Sequence, residues 1–165
     1  MMKKLNSRFY VMKRCSGKLN YESKQLFVKS LVFPYFNYCA STLYLMSDSQ
    51  ISLLQKIMNR YMRLILRADF RTPRQSMIDK LGWLTVKQQI SFNTTIFMDR
   101  IANRSCPFYL ASQMIKRKEL SARDMRSSED FLAHPFIKDV SQNSLWYKGI
   151  HMFNDFKKFC NRQIH

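Results

Sequence analysis

Glycine and proline are almost missing from this chain: three Gly and four Pro occur in 165 residues. These residues end helices and make the tight turns of many-stranded β folds, so their scarcity favours long helices. Apolar residues form 46% of the sequence, enough to bury a core and to argue against disorder along the whole chain. Thirteen Phe, eight Tyr and eleven Met point to a core of large, adaptable side chains. The expected fold is all-α: an irregular helical bundle with a kinked long helix near the N-terminus and a loosely attached C-terminal segment. Three parts are expected: a basic helical bundle at 1–115, a charged connector at 116–130, and a segment at 131–165 that packs back on the bundle.

The pattern of apolar residues divides the chain further. Residues 5–14 predict a short basic helix, broken by Ser16-Gly17. Residues 21–46 read as a long, largely buried helical stretch with Leu26, Leu31, Phe36, Tyr38 and Leu45 among its apolar positions, kinked or split at Pro34. Ser47-Asp48-Ser49 is a helix start signal, because such side chains accept hydrogen bonds from the free amides of a first turn. In the helix that follows, at 50–68, Ile51, Leu54, Met58, Tyr61 and Ile65 recur at the spacing of one buried face, and Arg71-Thr72-Pro73 ends the run. Thr72 is expected to cap a short helix that starts with Pro73 and stops at Gly82. Thr85 is expected to cap a helix at 86–104 with Val86, Ile90, Phe97 and Ile101 inside, and Pro107 to open a helix through Lys118. Stretches 131–140 and 145–161 are apolar enough to fold back, the second as a helix carrying Ile150, Phe153, Phe156 and Phe159.

Charge carries the first functional clue. Twenty-eight Lys and Arg against eleven Asp and Glu leave a net charge of +17. Such an excess repels itself in the folded state, and a polyanion relieves the repulsion. Nucleic acid is the commonest such partner and an anionic membrane face the second. Residues 1–21 contain no acid and carry Lys3, Lys4, Arg8, Lys13, Arg14 and Lys18, which fits either a mitochondrial transit segment or a basic helix of the domain itself; the second reading is preferred. The uncharged run from Ser30 to Ser47 is diluted by Asn37, Ser41, Thr42 and Pro34, so a buried helix is preferred to a membrane span. Cys15, Cys39, Cys106 and Cys160 form no CxxC and follow no signal peptide, and are read as reduced thiols of an intracellular protein, nuclear or cytoplasmic, with a mitochondrial location as the alternative.

Several kinds of chemistry lack their residues. Polymerases, nucleases and phosphatases need carboxylates that converge on metal ions. Here the acids are scattered, and the one adjacent pair, Glu129-Asp130, sits in the polar connector. No GxxxxGK[ST], GxGxxG or HExxH occurs. His134, His151 and His165 with Cys106 and Cys160 lack zinc-ligand spacing, and are read as surface imidazoles and ordinary thiols. No catalytic residue, metal, cofactor or small-molecule substrate is therefore expected.

One constellation of cations stands out. At about 100° per residue, Lys56, Arg60, Arg63 and Arg67 share an arc of roughly 60°, opposite Leu54, Tyr61 and Ile65. No acid lies among them, and Arg71 and Arg74 carry the positive potential past the helix end. Solvated helix faces ordinarily mix signs to gain i,i+4 pairs, whereas this one does not. Guanidinium also donates in a planar fork that fits phosphate oxygens. These six residues are the candidate nucleic-acid-binding set, for phosphate contact without base readout. Phe9, Tyr10 and Tyr147 stand beside basic residues and are candidates for stacking bases, though aromatics in such a chain are more often core.

From Lys24 onward the runs LFVKSLVFPYFNYCASTLY (26–44), ISLLQKIMNRYMRLIL (51–66), RTPRQSMIDKLGWLTV (71–86) and CPFYLASQM (106–114) resemble the region after the polymerase core in jockey-like, LINE-type non-LTR retrotransposon reverse transcriptases. That family carries L-V-x-P-x-x-x-Y-C, L-Q-x-x-x-N-R-x-x-R, R-T-P and L-G-W-L-P segments in this order, matched here from Leu31 to Cys39, Leu54 to Arg63, Arg71 to Pro73 and Leu81 to Leu84, with Thr85 in place of the last Pro. The resemblance covers most of 20–115 and continues weakly to about residue 160. It implies a helical thumb and post-thumb region near template and primer, with Arg60 and Arg63 on the N-R-x-x-R pattern. The family's palm carries Tyr/Phe-x-Asp-Asp, and this sequence has no Asp-Asp, so no catalytic residue carries over. Met1-Met2 is read as the start of a frame left by a truncated copy. The expected function is a non-catalytic RNA- or DNA-binding fragment of an RNA-directed DNA polymerase, whose other partner would be the missing palm. The alternatives are a packing module with no nucleic-acid role and a basic mitochondrial or membrane-surface protein.

Overall fold

The computed structural model describes residues 1–38, 40–120, 130–132 and 144–163. Cys39, Glu129, His134 and His165 lie outside the described residues, as do most of the connector at 116–130 and of the stretch at 131–140. The fold is all-α. Helices α1 (Met2–Cys15), α2 (Tyr21–Leu31), α3 (Pro34–Asn37), α4 (Ala40–Leu43), α5 (Asp48–Leu66), α6 (Arg74–Leu81), α7 (Val86–Ala102), α8 (Phe108–Ala111), α9 (Arg117–Leu120) and α10 (Leu145–Gln163) follow in order. Among the described residues, extended backbone pairs only at an isolated bridge between Lys116 and Phe131. The chain forms two compact units, Met1–Ser91 and Phe92–His165.

In the first unit α5 packs against α1, α2 and α6. Its start is a capping box: the Gln50 N–H donates to the Ser47 hydroxyl, and the Ser47 N–H donates to Gln50 Oε1 at 3.1 Å. The expected stripe is found, with Leu54, Met58, Tyr61 and Ile65 buried, Ile51 half-buried, and Ile57 and Met62 widening the face. The helix stops at Leu66, where Arg67 turns the chain in the left-handed region at φ 51°. Glycine is the usual residue for that conformation, so this end carried no sequence signal.

Helix α1 is part of the same core. Leu5, Phe9 and Met12 are buried on it, the Tyr61 hydroxyl donates to the Leu5 carbonyl at 2.8 Å, and the Phe9 ring meets the Tyr61 ring edge-on at 5.3 Å. The acid-free N-terminal stretch, weighed above as a targeting segment, thus supplies a wall of the first unit.

The stretch at 21–46 holds three helices, α2, α3 and α4; Pro34 parts α2 from α3, standing at the start of α3 where its missing N–H costs nothing. The expectation of a largely buried stretch is corrected: of the five apolar positions named, only Phe36 is buried, while Leu26, Leu31, Tyr38 and Leu45 are exposed. Apolar residues stand all round α2, so their pattern selects no face. The buried line runs through Lys24, Val28 and Val32, and Leu26 lies roughly 160° away from Val28. The run from Ser30 to Ser47 makes no single helix, and among the described residues no helix is long and apolar enough to cross a membrane.

One cap differs from expectation and two agree. Pro73, not Thr72, occupies the cap position of α6; its ψ of 139° is extended, which excludes it from the first turn, and no side chain caps this helix. Gly82 ends α6 in the left-handed region as expected, at φ 62°. Thr85 caps α7, accepting from the Gln88 N–H at 3.2 Å.

In the second unit Met98 and Ile101 of α7, Met114, Phe131, and Ile150 and Phe153 of α10 form the core. A Cβ on Gly149 would meet Met98 Sδ at 3.1 Å, so this glycine lets α10 approach α7 closely. Asn154 holds the backbone of Phe131 from both sides, accepting from its N–H at 3.1 Å and donating to its carbonyl at 2.9 Å. Lys158 pairs with Asp130 at 2.9 Å. The helix expected from Pro107 through Lys118 is instead two short pieces, α8 and α9. On α10, Ile150 and Phe153 are buried but Phe156 and Phe159 are exposed. A strict three-residue step drifts about 60° each time, so by Phe159 the series has reached the far side of the helix.

Two measurements follow from this packing. Leu5→Ala and Met12→Ala are each expected to lower stability to urea by about 2–5 kcal/mol, as core truncations do; a dispensable leader would leave the unfolding midpoint in place. Ser47→Ala, at an exposed cap, is expected to cost about 1 kcal/mol.

Candidate nucleic-acid interface

The six candidate cations lie on α5, on the turn after it and at the start of α6. The capping box and the buried stripe fix the rotation of α5, and with it the side on which the cations stand. Lys56 and Arg67 are exposed, as are Arg71 and Arg74 beyond the helix. Arg60 and Arg63 are half-buried, which corrects the expectation of an unbroken outward row. A helical wheel of α5 alone has two sides, but in the fold α1 covers one margin of the cation face and the turn after α5 folds over another part.

Each half-buried arginine sits on an aromatic ring. The Arg60 guanidinium lies over the Phe9 ring at 4.1 Å, stands 5.8 Å from the Tyr10 ring, and donates to Asn6 Oδ1 at 3.1 Å. Arg63 lies over the Phe70 ring at 5.2 Å, and its Nε is shielded from solvent with no hydrogen-bond partner among the described residues. Arg8 makes a third such pair, over Tyr35 at 4.6 Å, and donates to the Leu31 carbonyl. Among the described residues none of the six candidate cations is paired with a carboxylate. The nearest acid in sequence, Asp69, turns back to accept from the Phe70 N–H at 2.6 Å.

The stacking candidates separate clearly. Tyr10 is 56% exposed, whereas Phe9 is core. Tyr147, in the second unit, is half-buried and meets His151 edge-on at 4.6 Å. Sequence reasoning missed Phe70, which is 82% exposed, and Asn6, which anchors Arg60. Neither stands in a periodic pattern with α5, so neither left a signal.

Several residues of the resembled segments hold the scaffold behind this face. Gln55 is buried; its Oε1 accepts from the Val86 N–H at 2.8 Å, at the start of α7, and its Nε2 donates to Asn59 at 2.9 Å. Trp83 is buried edge-on against Phe33 at 5.0 Å. Burial pushes the Tyr61 phenol from its usual 10.0 up to about 12, outweighing the opposite pull of Arg8 and Arg60.

Cys106 and Cys160 are half-buried and Cys15 is exposed, and among the described residues no three of His, Cys, Asp and Glu gather closely enough to hold a metal ion. In the second unit a cavity of about 380 Å³ is lined by Arg104, Ser112, Met114, Lys116, Glu119 and Phe131 among others.

The Tyr61 shift has a measurable consequence. A phenol held protonated by the fold contributes stability that is complete below pH about 10 and is lost as pH rises through about 12. The difference in urea midpoint between the wild type and Tyr61→Phe is expected to stay constant up to pH about 10 and to shrink above it. A difference independent of pH across this window would mean that the phenol is solvated.

No family model matches the chain, and neither a curated protein nor a solved structure does.

Proposed function

We propose that this chain is a non-catalytic nucleic-acid-binding domain that grips the phosphate backbone through α5 and the turn after it, and that it derives from the region after the palm of a retrotransposon RNA-directed DNA polymerase. The observation that carries the binding reading is the run of cations from Lys56 to Arg74, with no ion-paired carboxylate on any of them among the described residues, in a chain of net charge +17. Among the described residues the side chains of the four exposed cations make no hydrogen bond or ion pair, which leaves their donors to a ligand. Arg60 and Arg63 add fixed charge whose direction the rings beneath them set. The origin rests on the four ordered segments of the sequence, whose Gln55, Asn59, Gly82 and Trp83 hold α5, α6 and α7 in place.

A second reading is favoured by a separate observation. Leu26 and Tyr38 are exposed in the first unit and Phe156 and Phe159 in the second, as they would be on a packing module parted from a larger polymerase. Sedimentation separates the two: association that grows with concentration favours the packing module, and a clean monomer favours the nucleic-acid domain.

With four to six phosphates contacted, log K against log salt is expected to slope by about −3 to −5. Neutralising an exposed cation, Lys56→Gln or Arg67→Gln, should weaken binding to all sequences alike and flatten the slope by about one unit. Affinity indifferent to salt and to both substitutions would overturn the proposal.

A further inference from the structure

We propose that Tyr10 and Phe70 are stacking platforms beside the cation row, so that the site selects unpaired nucleic acid, RNA or DNA, over duplex. The inference rests on the phosphate-binding reading above and adds a substrate class to it.

Phe70 leaves 82% of its surface in water and Tyr10 leaves 56%. Both rings are held rather than loose. The Arg63 guanidinium backs Phe70, whose N–H is fixed by Asp69, and Tyr10 packs edge-on against the buried Phe9 at 5.9 Å with Arg60 beside it. The two arginines are one helical turn apart on α5, about 4.5 Å of rise, so the rings flank one short stretch of the cation row. A flat ring with an open face beside a line of cations is the arrangement on which single strands bind: phosphates follow the charge and bases lie on the rings, whatever their sequence. In a duplex the base faces are already stacked on one another, and only the phosphates remain to be bound. The cations therefore serve either ligand, and the rings serve only the single strand.

The test uses the full chain with a labelled oligothymidylate strand and a duplex of equal length. Tyr10→Ala and Phe70→Ala are each expected to weaken single-strand binding about 5- to 150-fold, with the salt slope unchanged and duplex affinity altered no more than about twofold. Circular dichroism is expected to show an intact fold, because both rings are exposed. Phe70→Trp is expected to retain affinity, and its added indole emission to be quenched by the strand but not by the duplex. Unchanged single-strand affinity in both alanine variants, without quenching in the tryptophan variant, would overturn the stacking inference. If the salt slope and the effect of Lys56→Gln persist in that case, the phosphate reading stands; if the chain binds neither ligand, both readings fall together.

Discussion

Tyr61 meets α1 in two ways at once, donating its hydroxyl to the Leu5 carbonyl and receiving the edge of Phe9. On the same face of α5 its neighbours Leu54, Met58 and Ile65 close the core of the first unit. Helices α1, α2 and α6 pack directly on α5. A helix whose hydroxyl is hydrogen-bonded inside an apolar contact has its rotation fixed, since turning it by one residue either way would leave a carbonyl and a phenol unpaired, and one of the two directions would also bring Arg60 inward. The outward side of α5 is thus set by what its inward side requires.

That constraint also explains why the cation row is uneven. Its two middle members lie where other parts of the chain reach the shoulders of α5, and each shields its guanidinium on an aromatic ring, with no carboxylate paired to it among the described residues. Guanidinium is weakly hydrated and stacks on rings, so it tolerates partial burial better than an ammonium would. The one lysine of the helix row, Lys56, stands at an exposed position. Arg60 and Arg63 therefore belong both to the packing of the unit and to its surface potential.

How much was legible in advance depended on whether a single helix carried its own answer. For α5 it did: the Ser47 cap, the three- and four-residue steps of the stripe and the absence of breakers agreed, and the structure follows them closely. Gly82 and Thr85 were legible for the same reason, as local backbone chemistry. Helix α2 was not, because its apolar residues surround it and only the neighbours decide which side is hidden. The exposed end of α10 reflects the drift of a three-residue repeat, which counting apolar residues conceals. The half-burial of Arg60, its bond to Asn6 and the position of Phe70 over Arg63 depend on segments distant in sequence or outside any periodic element, where pattern is silent.

The bond from Tyr61 to Leu5 spans 56 positions of sequence. An isolated helix of fourteen residues is marginal in water, so α1 has little to stabilise it before α5 exists. At a synthesis rate of roughly 5–20 residues per second, α1 waits about 3–11 seconds for its seat. Through that interval Leu5, Phe9 and Met12 have no cover beside a dense group of lysines and arginines. The nascent chain thus presents an apolar strip beside a dense group of cations; the finished fold hides the strip and leaves Lys3, Lys4, Lys13 and Arg14 in water.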